Sequence, residues 1–195
     1  MSTSWLAVID MQRVFAEPDS PWFTPGFDRI TAPIAELLPV FGPRAVFTRF
    51  VAPKTPSGAW NEYYARWPFA LQPPDAPAYR LTQEFDEVAG RTVDATTFSK
   101  WTPELATRTS GADRLYLAGV TTDCCVLSTA LAAADAGVSV RIVTDACAGV
   151  DDAAHSAALH VLGLYGPLIR LVTAAEARTE VLAEAVHRAS PEEAS

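Results

Sequence analysis

The chain has 195 residues, 49% hydrophobic and 19% charged, which is the composition of one packed domain large enough to need no disulfide or metal staple. Its formal net charge is -8 with no run of Lys or Arg, and this excludes nucleic acid and anionic membrane surfaces as partners, because both demand a positive footprint. Three cysteines, two of them adjacent, read as free thiols in a reducing, cytoplasmic setting, and the opening MSTSWLAVIDMQ has neither the basic region nor the apolar length of a signal peptide.

In chain order, short apolar runs bounded by turn residues predict buried parallel strands at 5–9 (WLAVI), 45–48 (AVFT), 115–118 (LYLA) and 138–143 (VSVRIV). Further strands are expected at 92–95, on a sheet edge, and at 168–172 (LIRLV). Helical patterns lie between them at 27–41, at 123–136 ending on Gly137, at 151–165 after an Asp pair, and at 174–189. Strand and helix alternate, so the expected fold is α/β: a doubly wound parallel sheet of about six strands with helices on both faces. Residues 1–190 read as a single domain and 191–195 as a polar tail. In such sheets the ligand crevice lies at the carboxyl ends of the strands.

Residues 51–90 break the alternation, with prolines at 53, 56, 68, 73, 74 and 77. Within them Trp60, Tyr63, Tyr64 and Trp67 fall at i, i+3, i+4 and i+7 and predict a short helix with an aromatic face. That face either packs on the domain or a neighbouring subunit, or walls the crevice. A long connection of this kind is usually a functional cover or disordered, and the aromatic spacing argues against disorder.

The chemistry-bearing residues stand at strand ends. Asp10 directly follows WLAVI; an acid there either caps the next segment or has a buried partner or task. Lys100, in TTFSKW, lies near another strand end, where a lone lysine is ordinarily a solvated charge. The stretch LAGVTTDCCVLSTA reads as strand, turn and helix start, with Thr122 or Asp123 as N-cap and both cysteines in the first helical turn. There the unpaired backbone N–H groups lower a thiol's pKa and can hold an oxyanion. About 100° of helical phase separates the two thiols, so one faces a given crevice. Cys125 shares its side with Ser128, Thr129 and Ala132, Cys124 with Leu127 and Leu131, and this phase favours Cys125 for the crevice and Cys124 for the core. Cys147 reads as a small buried hydrophobe.

GVTTDCCV resembles the nucleophile motif G-x-x-T-[DN]-x-C-V of the isochorismatase-like cysteine hydrolases, VIDMQRVF their first-strand motif, and Phe-Ser-Lys-Trp their lysine motif, in the family's order and over residues 4–175. The resemblance implies that Cys125, the cysteine before Val, is the nucleophile, with Asp10 and Lys100 as its catalytic partners. It implies a cis peptide between Val120 and Thr121 and an oxyanion hole formed by the backbone N–H groups of Thr121 and Cys125. It implies a homo-oligomer, dimer or tetramer. The expected function is cofactor-independent hydrolysis of a C–N bond, amide or carbamoyl, in a small molecule through a thioester. The alternatives are vinyl ether hydrolysis of the isochorismatase type and a non-catalytic small-ligand module, although no dinucleotide or phosphate-loop glycine motif follows a predicted strand. Phe15, Trp60, Tyr64, Trp67 and Trp101 are the candidate substrate contacts. The nicotinamidase branch carries metal-binding histidines after the second strand; here that place holds none, and His155 and His160 are five apart on a helix, so no metal site is expected.

Overall fold

The computed structural model describes residues 3–189, so the tail at 191–195 lies outside the described residues. Strands β1 (Ser4–Ile9), β2 (Ala45–Phe50), β3 (Thr92–Ala95), β4 (Arg114–Val120), β5 (Ser139–Ala148) and β6 (Ile169–Val172) form one all-parallel sheet in the order β3-β2-β1-β4-β5-β6. The predicted edge strand at 92–95 is β3. The fifth strand is longer than expected and includes Cys147, which the sequence reading places beyond its end. After a register irregularity between Leu117 and Gly119, β5 resumes its pairing with β4, matching Gly119 to Cys147 and Val120 to Ala148.

Helices connect the strands: α1 (Arg13–Ala16), α2 (Phe27–Phe41), α3 (Trp60–Arg66), α4 (Pro103–Arg108), α5 (Leu127–Asp135), α6 (Asp152–Gly163) and α7 (Ala174–Ala189). Among the described residues no helix is long and apolar enough to cross a membrane. The strands read as continuous apolar runs because both faces of the sheet are covered. Leu6 and Val8 of β1 and Tyr116 and Ala118 of β4 pack into a core that includes Ile30, Ile34, Leu37 and Phe41 of α2 and Ala177 and Val181 of α7. Their neighbours Ala7, Ile9, Leu115 and Leu117 face the opposite core, with Leu105 of α4, Ala130 and Ala133 of α5, and Leu162 of α6. The strand period of two thus separates two hydrophobic layers.

The chain runs outward from β1 through β2 to β3, then returns to β4 on the other side of β1. Between the carboxyl ends of β1 and β4 the winding reverses, and such a switch point is where an open α/β sheet leaves a crevice. Gly119 sets the approach of these two strands. It pairs with Ile9 at φ 112°, and a Cβ there would lie 2.1 Å from the Ile9 carbonyl oxygen. Gly137 also has a positive φ (87°), but nothing lies within 4 Å of a Cβ built on it. Gly137→Ala is therefore expected to cost about 1 kcal/mol of conformational strain, whereas Gly119→Ala, which must push β1 from β4, is expected to cost about 3 kcal/mol or more. Urea unfolding of the two variants measures the difference; equal losses would show that the strands part without cost.

Candidate active site

Asp10 leaves β1 with φ 52°, a left-handed conformation that is costly for any residue with a Cβ, though less so for Asp, and it is completely buried. Its backbone N–H donates to the Thr48 carbonyl at 3.2 Å, and the Thr48 hydroxyl donates to Oδ1 at 2.7 Å. Lys100 is also completely buried, and its Nζ lies 3.0 Å from Asp10 Oδ2. The ammonium donates to the Thr97 carbonyl at 2.8 Å and sits 4.6 Å from the centroid of the Phe50 ring. Oδ2 accepts no aligned hydrogen bond among the described residues, so this oxygen is held by charge and retains capacity for a further proton donor. The solvated-surface reading of Lys100 and the capping reading of Asp10 both fail here, because the two charges are buried against each other.

The strand-to-helix turn after β4 begins with a cis Val120–Thr121 peptide. Residues Thr122–Val126 then form a π-helical turn before α5. Neither Thr122 nor Asp123 acts as N-cap. The Thr121 carbonyl accepts from the N–H groups of Cys124 and Val126, both at 3.1 Å. The Asp123 carboxylate instead accepts from the Val150 N–H at 2.9 Å, and the Thr122 hydroxyl meets His155 Nδ1 at 2.8 Å. These two contacts bind the turn to the start of α6.

The wider turn also corrects the phase argument. An ideal α-helix would send the two thiols to different sides, yet both Cys124 and Cys125 line the same cavity. Cys125 is buried, with 4% of its surface exposed, and Cys124 is half-buried. The hydrogen bond from the Cys125 thiol to Cys124, together with burial, pushes the Cys125 pKa well above its ordinary value, against the pull of Lys100. The same bond lowers the Cys124 pKa. The helix-start expectation of a depressed Cys125 pKa is therefore corrected: the neighbouring thiol and burial push it up rather than down. Cys147 is a buried thiol pushed up to about 12 by burial, in keeping with its reading as a hydrophobe.

One hydroxyl joins the lysine loop to the cysteine turn. Thr129, fully buried on α5, accepts from the Lys100 N–H at 2.8 Å and donates to the Cys125 carbonyl at 2.6 Å. Thr129→Val keeps the shape but leaves the Lys100 N–H unpaired, with an expected loss of about 2 kcal/mol that Thr129→Ser largely restores. Urea midpoints read this directly; an unchanged midpoint in the valine variant would remove the hydroxyl from the account.

The cavity has a volume of about 260 Å³. Phe15, Trp22, Phe50, Tyr63, Trp67 and Phe98 line it, beside Thr121, Asp123, Cys124 and Cys125. Of the predicted substrate contacts, Phe15 and Trp67 line it. Trp60, Tyr64 and Trp101 do not. Tyr64 is 1% exposed and packs inward to the core below α3. Trp60 packs on the rings of Tyr63 and Phe98, both at 5.1 Å, and so buttresses the wall from behind. Trp101 packs on the core of α4 and α5. The face of α3 that meets the cavity is centred on Tyr63 rather than Tyr64. Trp22, which touches Phe15, Phe50, Tyr63, Trp67 and Phe69, carries no periodic signal in the sequence and was not anticipated.

A family model described as the isochorismatase domain matches residues 4–176. No curated protein matches the chain. Among solved structures, a cysteine hydrolase from Pseudomonas syringae pv. phaseolicola 1448A superposes with a TM-score of 0.80 at 18% identity, covering 92% of each chain. An isochorismatase family protein from Desulfovibrio vulgaris subsp. vulgaris str. Hildenborough gives a TM-score of 0.80 at 23% identity over 94% of this chain and 100% of its own. The N-carbamoylsarcosine amidase from Thermoplasma acidophilum gives 0.68 at 18% over 89% and 97%. At these identities the superpositions establish the shared fold, and the family model establishes membership. A doubly wound sheet whose switch point holds a buried acid, a buried lysine and a cysteine turn, matched over nearly its whole length by that model, belongs to the isochorismatase-like hydrolase family.

Proposed function

We propose that the chain hydrolyses a C–N bond, amide or carbamoyl, of a small molecule through a thioester on Cys125, without a cofactor. The observation that carries this reading is the fully buried Asp10–Lys100 pair at 3.0 Å beside a buried thiol that lines an aromatic cavity. Two desolvated charges of this kind rarely add stability; next to a nucleophile they make a proton acceptor and a fixed positive field.

In the first half-reaction the Cys125 sulfur attacks the carbonyl carbon as its proton passes to Asp10. The charge developing on oxygen is met by the N–H groups of Thr121 and Cys125. Asp10 then protonates the leaving nitrogen, the C–N bond breaks and the amine departs, leaving the thioester. In the second, Asp10 takes a proton from water, the resulting hydroxide displaces sulfur, and Asp10 returns the proton to Cys125. Lys100 stabilises the thiolate character that sulfur acquires in both directions. A thiol whose pKa is raised by its neighbour and by burial suits this sequence, because the base is already in place and the anion is generated only during attack.

Mass spectrometry of the enzyme quenched during turnover of a simple amide tests the reading. An adduct of acyl mass on the peptide containing Cys125, absent from Cys125→Ala, is the expected result; turnover with no such adduct, insensitive to that substitution, would sink it.

The free thiols at positions 124, 125 and 147 support a reducing, cytoplasmic location. A homo-oligomer also remains part of the proposal, on different residues than expected. The aromatics of α3 turn largely inward, and exposed apolar side chains cluster instead near the end of α6 and β6, at Leu164, Tyr165, Leu168 and Leu171.

A further inference from the structure

Resting on the hydrolase reading, we infer that the substrate is an uncharged, largely apolar molecule, and that the cavity rejects carboxylates. The inference comes from the charge of the wall. Among the described residues no Lys, Arg or His lines the cavity, and the one charged side chain that does is Asp123. An anion entering would lose its hydration without gaining a cation, the N–H groups of the cysteine turn being taken by the reacting carbonyl, and it would meet a carboxylate.

Two nearby cations, Lys100 and Arg66, are engaged elsewhere. Lys100 is fully buried, with its ammonium on Asp10, on the Thr97 carbonyl and on the Phe50 ring. Phe50 itself lines the cavity, so the lysine's charge is presented through an aromatic ring that it already occupies. Arg66 stacks its guanidinium 5.4 Å from the Trp67 ring centroid and is not part of the lining. What the wall does offer is aromatic surface. Trp22 is the hub, in ring contact with Phe15 at 6.0 Å, Phe50 at 5.7 Å and Tyr63 at 6.1 Å. A cavity of about 260 Å³ lies below the usual range for drug-sized ligands. It suits a compact neutral amide with an apolar body, and Thr121, Asp123 and the two cysteines line it at the turn where the reacting carbonyl must lie. Isochorismate, a dicarboxylate, and N-carbamoyl amino acids, which carry one carboxylate, are both excluded on this argument. Charge selection of this kind therefore also favours the C–N alternative over the vinyl ether one.

Alkylation of the cavity thiols tests this without any turnover. Iodoacetamide and iodoacetate are near-isosteric, one neutral and one anionic, and each forms a C–S bond to the thiolate with loss of iodide. Rates at Cys124 and Cys125, separated from Cys147 by peptide mapping, are compared with those of N-acetylcysteine. The expected neutral-to-anionic ratio at the cavity thiols exceeds that of the free thiol by about tenfold or more, and it survives about 0.5 M salt, where the field of the overall net charge is screened. Asp123→Asn, which retains an acceptor for Val150, is expected to reduce the ratio. A ratio equal to that of N-acetylcysteine, or one that disappears in salt, would overturn the inference. The companion measurement uses benzamide and 4-carbamoylbenzoate as substrates, with kcat/KM for the carboxylate lower by about tenfold or more. Failure of every amide to form an acyl-enzyme would refute the hydrolase reading while leaving the alkylation result intact; rapid iodoacetate labelling with normal amide turnover would refute only the charge selection.

Discussion

Cys125→Ala is expected to lower turnover of any accepted amide by about 10³-fold or more, whereas Cys124→Ala retains activity within about tenfold of the parent. Both sulfurs reach the cavity, so access alone does not separate them. Their surroundings do. The Cys125 backbone is anchored by Thr129, whose hydroxyl also holds the Lys100 N–H, so this residue and the lysine loop are fixed to each other. Cys124 has greater exposure and a lowered pKa, which make it the better scavenger of a small electrophile but no better placed for a proton relay. The two variants also separate reactivity from catalysis. The bond to Cys124 is the largest cause that raises the Cys125 pKa, so in Cys124→Ala the alkylation profile of Cys125 moves to lower pH. In Cys125→Ala, Cys124 loses the donor that stabilised its thiolate and its profile moves to higher pH. Thermal melts control for the small cavity each alanine leaves. An active Cys125→Ala beside an inactive Cys124→Ala would transfer the nucleophile to residue 124 and with it the whole mechanism.

The fold was legible where period and punctuation agree. WLAVI, AVFT and LYLA are too short and too uniformly apolar for surface helices, and the turn residues around them mark a parallel sheet covered on both faces. The strand ends then brought Asp10 and the cysteine turn to one switch point. What the sequence could not carry were features set by long-range geometry. The extension of β5 to Ala148 depends on a register irregularity opposite Gly119, which leaves no local trace. The π-helical turn at Thr122–Val126 has the same residues as an α-helical start, and only its bonding to Thr121, Val150 and His155 distinguishes it. For the cavity wall, helical spacing identifies the aromatic face of α3 but not its rotation, and it is Tyr63 rather than Tyr64 that faces the cavity. Trp22 lies in a loop, where period has no meaning. Thr48 and Thr129, which hold the acid and the lysine loop, look like ordinary strand and helix threonines until their partners, 38 and 29 residues away, are in place.

Substitutions at the ion pair should divide stability from chemistry. Lys100→Met leaves the Asp10 carboxylate fully buried with only the Thr48 hydroxyl as donor, and Asp10→Asn leaves the Lys100 ammonium with the Thr97 carbonyl and the Phe50 ring. Each single variant strands a desolvated charge and is expected to lose about 3 to 5 kcal/mol of stability together with activity. The double variant, Asp10→Asn with Lys100→Met, strands neither, so its unfolding midpoint should recover most of the loss, and the interaction energy of the cycle should be large. Activity should not recover, because no group remains to carry the proton between Cys125 and the leaving nitrogen. The contrast matters because a buried ion pair can be replaced by uncharged side chains of similar volume without loss of stability. A double variant as unstable as the singles would show that the pair serves the fold. One that regains turnover would show that Asp10 is not the base. Recovered stability without recovered turnover is what a pair kept for its chemistry requires, and it would place the strained backbone of Asp10, at φ 52°, among the costs the fold bears to aim that carboxylate at the thiol.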